Sequence, residues 1–336
     1  MPQDYEPPVL VAPDSFKGTL RAGEVAAAIA RGLERAGLVP PDRCPVADGG
    51  EGTLEALLTA LGGETAGARV HDPLGREITA GFGLIEDGAT AVVEMAEASG
   101  LGLVAEGERD AWAASTRGTG ELIVAAVEAG AEVVLVAVGG SATTDGGAGA
   151  IEAIEDAGGL GGARIVVLSD VRTPWERAPA VFGPQKGADT AMIARLEQRL
   201  DALAARLPKD PRGVPMTGAA GGLSGGLWAA YGAVLEPGAT FVLDALGFDD
   251  RMRASRCVVT GEGKLDQQTL QGKLVGEIGT RTRQAGVPLH AIVGTDALDR
   301  FGKRMIDLQV VLAASTTDEI EAAGARLGTL LTDQEA

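Results

Sequence analysis

The chain has 336 residues, 45% of them hydrophobic and 23% charged, the balance of a globular protein long enough for two domains. Its 47 acidic against 29 basic side chains leave a formal net charge of -18, which repels a phosphate backbone and argues against nucleic acid as a partner. No stretch approaches the ~18 apolar residues of a membrane span, and MPQDYEPPVLV carries no basic-then-apolar leader, so the expectation is a soluble, cytoplasmic protein away from membranes.

In chain order, the apolar run Pro8–Ala12 ends in Pro-Asp-Ser-Phe-Lys-Gly and is followed by a helical pattern over 22–36, with Val25, Ile29 and Leu33 four apart. Strand, Gly-containing loop and helix make the first half of a βαβ unit. From about 68 to 95, HDPLGREITAGFGLIEDGATAVVEMA alternates around two turn signals, as an antiparallel meander does. The strand–loop–helix rhythm returns at 132–138, where GGSATTDGG leads into a helix over 148–154, and again at 257–260, where GEGKLDQQTLQGK leads into 275–283. Residues 289–293 and 308–313 read as buried strands, and the capping-box spacing of Thr316 and Glu319 opens a last helix over about 317–331. The expected fold is α/β: a doubly wound, mostly parallel, Rossmann-like domain from 1–66 with 255–336, and a second α/β domain, 67–254, inserted into it.

The polar inventory narrows the chemistry. Lysine is scarce, 6 residues against 23 arginines, and Lys17, Lys186, Lys264 and Lys273 all lie beside or within one residue of glycine in loop-like segments. An ammonium group is a point charge suited to phosphate, and glycine lets backbone N–H groups approach the same anion. With two histidines and two cysteines there is no zinc pattern, no CxxC and little room for histidine acid–base chemistry, so proton transfer falls to Asp, Glu or Lys. Loops after the C-terminal ends of parallel strands are where open α/β sheets bind ligands. Neither GxxxxGK[ST] nor a strand-following GxGxxG occurs, which disfavours a Walker-type NTPase and a dinucleotide dehydrogenase.

Eight segments in order resemble the bacterial glycerate kinase family: APDSFKGTL (12–20), ADGGEGT (47–53), STRGTGELI (115–123), VGGSATTDGGAGA (138–150), SDV (169–171), VFGPQKGA (181–188), GAAGGLSGGL (218–227) and TGEGKLDQQTLQGK (260–273). The resemblance implies two α/β domains, one inserted in the other, with the active site in the cleft between them. It implies ATP-dependent phosphorylation of D-glycerate with Mg²⁺, to 2-phosphoglycerate or, as the open alternative, 3-phosphoglycerate. Phosphoryl transfer asks for positioning and charge neutralisation, which this inventory supplies without histidine.

On those motifs Asp14 and Lys17 face substrate or phosphate, and Asp48, Gly49, Gly50 and Glu51 present carboxylates at a helix start whose free N–H groups gather an anion. Ser141, Thr143, Thr144 and Asp145 offer hydroxyls and amides to a carboxylate or phosphate, and Gln185 and Lys186 reach an anionic group. Asp170 ends the apolar run 165–168, where an unpartnered carboxylate is costly to bury, and is the first choice for general base, ahead of Asp14. Lys17 shares their catalytic role; Asp170, Glu262 and Asp266 are the metal set; Lys273 handles phosphate.

The chain departs from the family pattern in RTPWERAPAVFGPQK, where Trp175, Glu176 and Arg177 replace small residues, and in an abbreviated stretch before it. Bulk in place of glycine changes how closely backbone approaches a ligand, so a kinase for another small hydroxy acid, and a non-catalytic anion- or nucleotide-binding protein, stay open. Partners are small molecules, with a homodimer as one option for assembly.

Overall fold

The computed structural model describes residues 6–271 and 273–333. The first segment gives β1 (Val9–Pro13), α1 (Ala22–Arg35) and β2 (Asp42–Arg43). Next come α2 (Thr53–Leu61), β3 (Glu64–His71), β4 (Glu77–Ile85), β5 (Thr90–Glu94), α3 (Ala96–Ser99), α4 (Arg117–Glu128), β6 (Val133–Ala137), α5 (Ala148–Asp156) and β7 (Arg164–Leu168). The chain continues through α6 (Ala178–Phe182), α7 (Thr190–Ala204), α8 (Leu223–Tyr231), β8 (Val234–Glu236), α9 (Gly238–Ala245) and α10 (Phe248–Arg253). It closes with β9 (Cys257–Gly261), β10 (Lys264–Leu265), α11 (Leu274–Ala285), β11 (Leu289–Val293), β12 (Thr295–Asp296), α12 (Arg300–Met305), β13 (Leu308–Ala313) and α13 (Thr317–Asp333).

These elements form two units. One joins the chain up to Asp48 to the chain from Val242, and the other runs from Gly49 to Phe241. The divisions fall earlier than the 66/67 and 254/255 boundaries read from sequence. The reason for the first is α2: Leu54 places a methyl group where a Cβ on Gly83 of β4 would come within 2.2 Å, so this helix seats on the inserted unit's sheet.

In the discontinuous unit five parallel strands lie in the order β13-β11-β9-β1-β2. One face buries Val9, Val11, Cys257, Val259 and Ile292 against Val25, Ile29 and Leu33 of α1 and Ile320 and Leu327 of α13. The other face buries Ala291 and Val293 with Leu265 and Val275. Helices α1 and α13 cross closely because Gly32 and Gly324 lack side chains: a Cβ on Gly32 would stand 2.2 Å from the Glu321 carbonyl oxygen. Arg31 and Arg35 of α1 both pair with Glu321 of α13, at 2.8 and 2.6 Å. The α13 start is the capping box read from sequence, with Glu319 N–H donating to Thr316 Oγ1 and Thr316 N–H to Glu319 Oε2.

The inserted unit holds six strands in the order β3-β4-β5-β6-β7-β8. The meander β3-β4-β5 is antiparallel, and β5 through β8 then run parallel. Its core packs Val93, Val134, Val136, Ile165 and Val167 against Leu122 and Ile123 of α4 and Leu223 and Leu227 of α8. Among the described residues no helix is long and apolar enough to cross a membrane.

Candidate active site

In the discontinuous unit the chain goes from β1 to β2 on one side of the sheet and from β9 to β11 and β13 on the other. The connections therefore diverge between β1 and β9, the topological switch point at which open parallel sheets leave a crevice. A cavity of about 460 Å³ opens there, lined by Asp14, Lys17, Asp48, Glu262, Asp266 and Lys273 among others. The register pairs Pro13 with Gly261, so Asp14 and Glu262 are the first residues beyond two neighbouring strand ends. Their backbones are pinned: Asp14 N–H donates to the Gly261 carbonyl at 2.8 Å, and Gly294 N–H to that of Glu262 at 3.0 Å. Gly261 has to be glycine, since its Cβ would stand 2.4 Å from the Ile292 carbonyl oxygen.

The electrostatics of this cavity are crowded. Burial, and after it the negative charge of Asp48, push the Asp14 carboxyl up to about 8, against the opposing pull of Lys17 and of the Ser15 N–H that donates to it at 2.7 Å. Burial likewise pushes Glu262 up to about 7, although Thr269 Oγ1 donates to its Oε1 at 2.7 Å. Asp266 is held below the usual carboxylate range, first by the Gln268 N–H and also by Lys264, whose Nζ is 3.2 Å away. Lys17 pairs with Asp48 at 2.9 Å while staying 55% exposed, and Lys273 Nζ donates to the Gln268 side-chain carbonyl at 2.8 Å. Three ammonium groups and four carboxylates thus share one concavity, a charge pattern suited to an anion that carries its own cation.

The remaining candidates from the sequence belong to the inserted unit, and several turn inward. Asp145 is buried, and its carboxylate accepts from Thr116 N–H, Thr116 Oγ1, Gly147 N–H and Gly149 N–H at 2.8–3.2 Å. Four donors occupy it, so it ties the loop to the starts of α4 and α5 instead of reaching for an anion. Lys186 is 1% exposed and donates to Ser141 Oγ at 2.8 Å and the Thr143 carbonyl at 2.5 Å; burial lowers its pKa to about 7. Its neighbour Gln185 is exposed and accepts from Arg109 through its backbone carbonyl. Thr143 and Thr144 are fully buried, and their hydroxyls have no hydrogen-bond partner among the described residues. Asp170 follows β7 and accepts from the Ala239 N–H of α9 at 3.1 Å.

Gly49 and Gly50 let backbone pass over backbone: a Cβ on Gly49 would lie 2.8 Å from Gly238 Cα, and one on Gly139 would lie 2.6 Å from Gly50 Cα. Glu51 lies over Gly140, with Oε1 2.5 Å from where its Cβ would be. Two of the N–H groups at the start of α2, those of Gly52 and Leu54, are engaged by a residue the motifs did not single out. Glu94, which ends β5, accepts from Leu54 N–H at 2.8 Å; burial pushes it up to about 7 while the amides of Leu54 and Gly52 oppose the shift. Its only sequence signal is a carboxylate closing an apolar strand.

The altered segment also corrects an expectation. Trp175 is fully buried, donates through Nε1 to the Leu200 carbonyl at 3.1 Å, and lies where Cβ atoms on Gly146, Gly222 and Gly225 would meet its ring at 2.7, 3.1 and 2.5 Å. Its bulk fills the space those glycines leave, and Glu176 caps the Gly213 N–H at 3.0 Å, so both side chains serve packing within the unit. Among the described residues no three of His, Cys, Asp and Glu gather as a metal-holding group.

The glycerate kinase family model matches residues 9–157 and 156–334. The chain is 38% identical to the glycerate 2-kinase of Escherichia coli strain K12 over 93% of this chain and 92% of that one. It is 39% identical to the glycerate kinase of Bacillus subtilis strain 168 over 87% of this chain and 86% of the relative. A crystal structure from Salmonella typhimurium LT2, assigned as glycerate kinase 2, superposes with a TM-score of 0.82 at 33% identity, covering 98% of this chain and 100% of that one. With its mostly parallel α/β sheets and its match along nearly the whole length, the chain belongs to the glycerate kinase family.

Proposed function

We propose that this protein transfers the γ-phosphoryl group of ATP to glycerate, with O2 as the accepting oxygen and 2-phosphoglycerate as the product. Family membership supports the reaction class, and the Escherichia coli relative named glycerate 2-kinase favours O2 over O3. The observation that carries the reading is the convergence of Asp14, Lys17, Asp48, Glu262, Asp266 and Lys273 on one cavity at the switch point. In it Lys17 and Lys273 neutralise phosphate charge, and Asp14, buried and fixed by its neighbour's amide, takes the proton of the attacking hydroxyl. Asp170 is the second candidate for that proton.

The donor set suits Mg²⁺. The anionic ligands on offer are carboxylate oxygens, and this ion is usually held by one or two carboxylates together with substrate phosphates, so three gathered protein ligands are not needed. Glu262 and Asp266 would hold it, and it would supply charge neutralisation at the transferring group. The buried, unpartnered hydroxyls of Thr143 and Thr144 support a role for that loop in holding a substrate carboxylate or phosphate.

The test is ADP release from purified protein with ATP, Mg²⁺ and D-glycerate, with phosphorus NMR locating the new ester. Glycerate-dependent release with a 2-phosphate signal is the expected result. No release with glycerate, followed by turnover on another hydroxy acid, would replace the acceptor; silence on every acceptor would overturn the kinase reading.

A further inference from the structure

Thr269 does not line the cavity, yet it links two of the groups that do. It is 1% exposed, its Oγ1 donates to Glu262 Oε1 at 2.7 Å, and the same oxygen accepts from Asp266 N–H at 3.2 Å. The Asp266 carbonyl in turn accepts from Thr269 N–H at 3.0 Å. With its lone pair facing the Asp266 amide, the hydroxyl proton is directed at the glutamate. Among the described residues this is the only hydrogen bond to the Glu262 carboxylate, which stands between Gly261 and Gly263 with no flanking side chain to restrict it. The threonine is itself fixed from below: a Cβ on Gly276 of α11 would come within 2.5 Å of its carbonyl oxygen, so helix and turn are in direct backbone contact.

We infer that Thr269 is a positioning residue for the phosphoryl-transfer pocket: its hydroxyl holds one oxygen of Glu262 and the Asp266 loop in register, so that the other glutamate oxygen faces the cavity. The inference rests on the kinase reading above. A bond that merely stabilised the fold could sit anywhere along this turn. This one joins two cavity carboxylates through a residue outside the cavity, and its loss leaves Glu262 free to turn about its own side-chain bonds.

The test is a double-mutant cycle of Thr269→Val with Glu262→Gln, with Thr269→Ser as the conservative variant, read by steady-state kinetics with ATP, Mg²⁺ and D-glycerate and by thermal melting. Thr269→Val should lower kcat by about 10–100-fold with the KM for glycerate changed by no more than about threefold. Thr269→Ser should retain kcat within about threefold, and Thr269→Val should cost less than about twofold more once Glu262 is Gln. Equal losses in both backgrounds, or a loss in Thr269→Ser as large as in Thr269→Val, would overturn the inference. A crystal structure of Thr269→Val reads the contact without turnover: a displaced Glu262 carboxylate supports the inference, and an undisturbed one overturns it. If the unmodified protein fails to turn over glycerate, the functional reading falls and the crystal structure still decides what Thr269 does.

Discussion

His290 offers a stability prediction that can be worked through. It lies in β11 opposite Val259 and Val310, 2% exposed, with both ring nitrogens lacking a hydrogen-bond partner among the described residues. Burial lowers its pKa from 6.5 to about 4, because an imidazolium there would be a charge without water or counter-ion. The unfolded chain therefore binds the proton more readily than the folded one between those values, and stability falls as pH drops through the window. A shift of this size removes about 2 kcal/mol between pH 7 and 5, and about 3 kcal/mol once both states are protonated. His290→Leu should remove that component. Near pH 7 the variant should match or exceed the parent by about 1 kcal/mol, because an unpartnered polar group has gone, and the gap should widen by about 2 kcal/mol at pH 5. Native-state hydrogen exchange of β9 and β11 peptides measures the discontinuous unit directly. All three tryptophans (Trp112, Trp175 and Trp228) lie in the inserted unit, so their fluorescence gives an internal control. A stability difference that stays constant from pH 7 to 5 would refute the reasoning.

Asp14→Asn should lower kcat by about 100-fold or more while raising the melting temperature, since it removes a carboxyl that burial and Asp48 disfavour. Asp170→Asn measured beside it decides between the two proton acceptors: the larger loss in kcat marks the base. Trp175→Ala should destabilise the inserted unit by about 3–5 kcal/mol in urea unfolding, because the three glycines around the ring cannot close the space; a loss under about 1 kcal/mol would show that the cradle collapses.

Local signals made the discontinuous unit readable. Val25, Ile29 and Leu33 gave α1 its face, Thr316 and Glu319 gave α13 its start, and β1, β9, β11 and β13 stood out as apolar runs between turns. A helix start was read at 48–51, but α2 begins at Thr53, with Gly52 in a left-handed conformation as its N-cap instead of a side-chain cap. The loops after β1 and β9 could be named as ligand loops because parallel sheets bind at strand ends. What sequence could not supply was direction. Asp145 and Lys186 have the residue types of an anion site, and only tertiary structure reveals that both point into the loop they support. The glycines at 218–226 entered only as part of a family motif, and several serve packing: a Cβ on Gly221 would come within 2.0 Å of the Thr143 carbonyl oxygen. Glu94 and Thr269 act through partners 40 and 7 residues away, a relation no local pattern encodes.

The strand order carries a consequence for synthesis. β1 sits between β2 and β9, and β9 leaves the ribosome roughly 240 residues after β1, a delay of roughly 10–50 s at ordinary elongation rates. For that interval the apolar segment VLVA and the buried stripe of α1 have no sheet to join, whereas the inserted unit emerges as an uninterrupted stretch and can fold at once. β1 and α1 are thus among the last elements to be buried although they are made before the whole inserted unit, and the nascent chain's exposure to chaperones and proteases is concentrated in them.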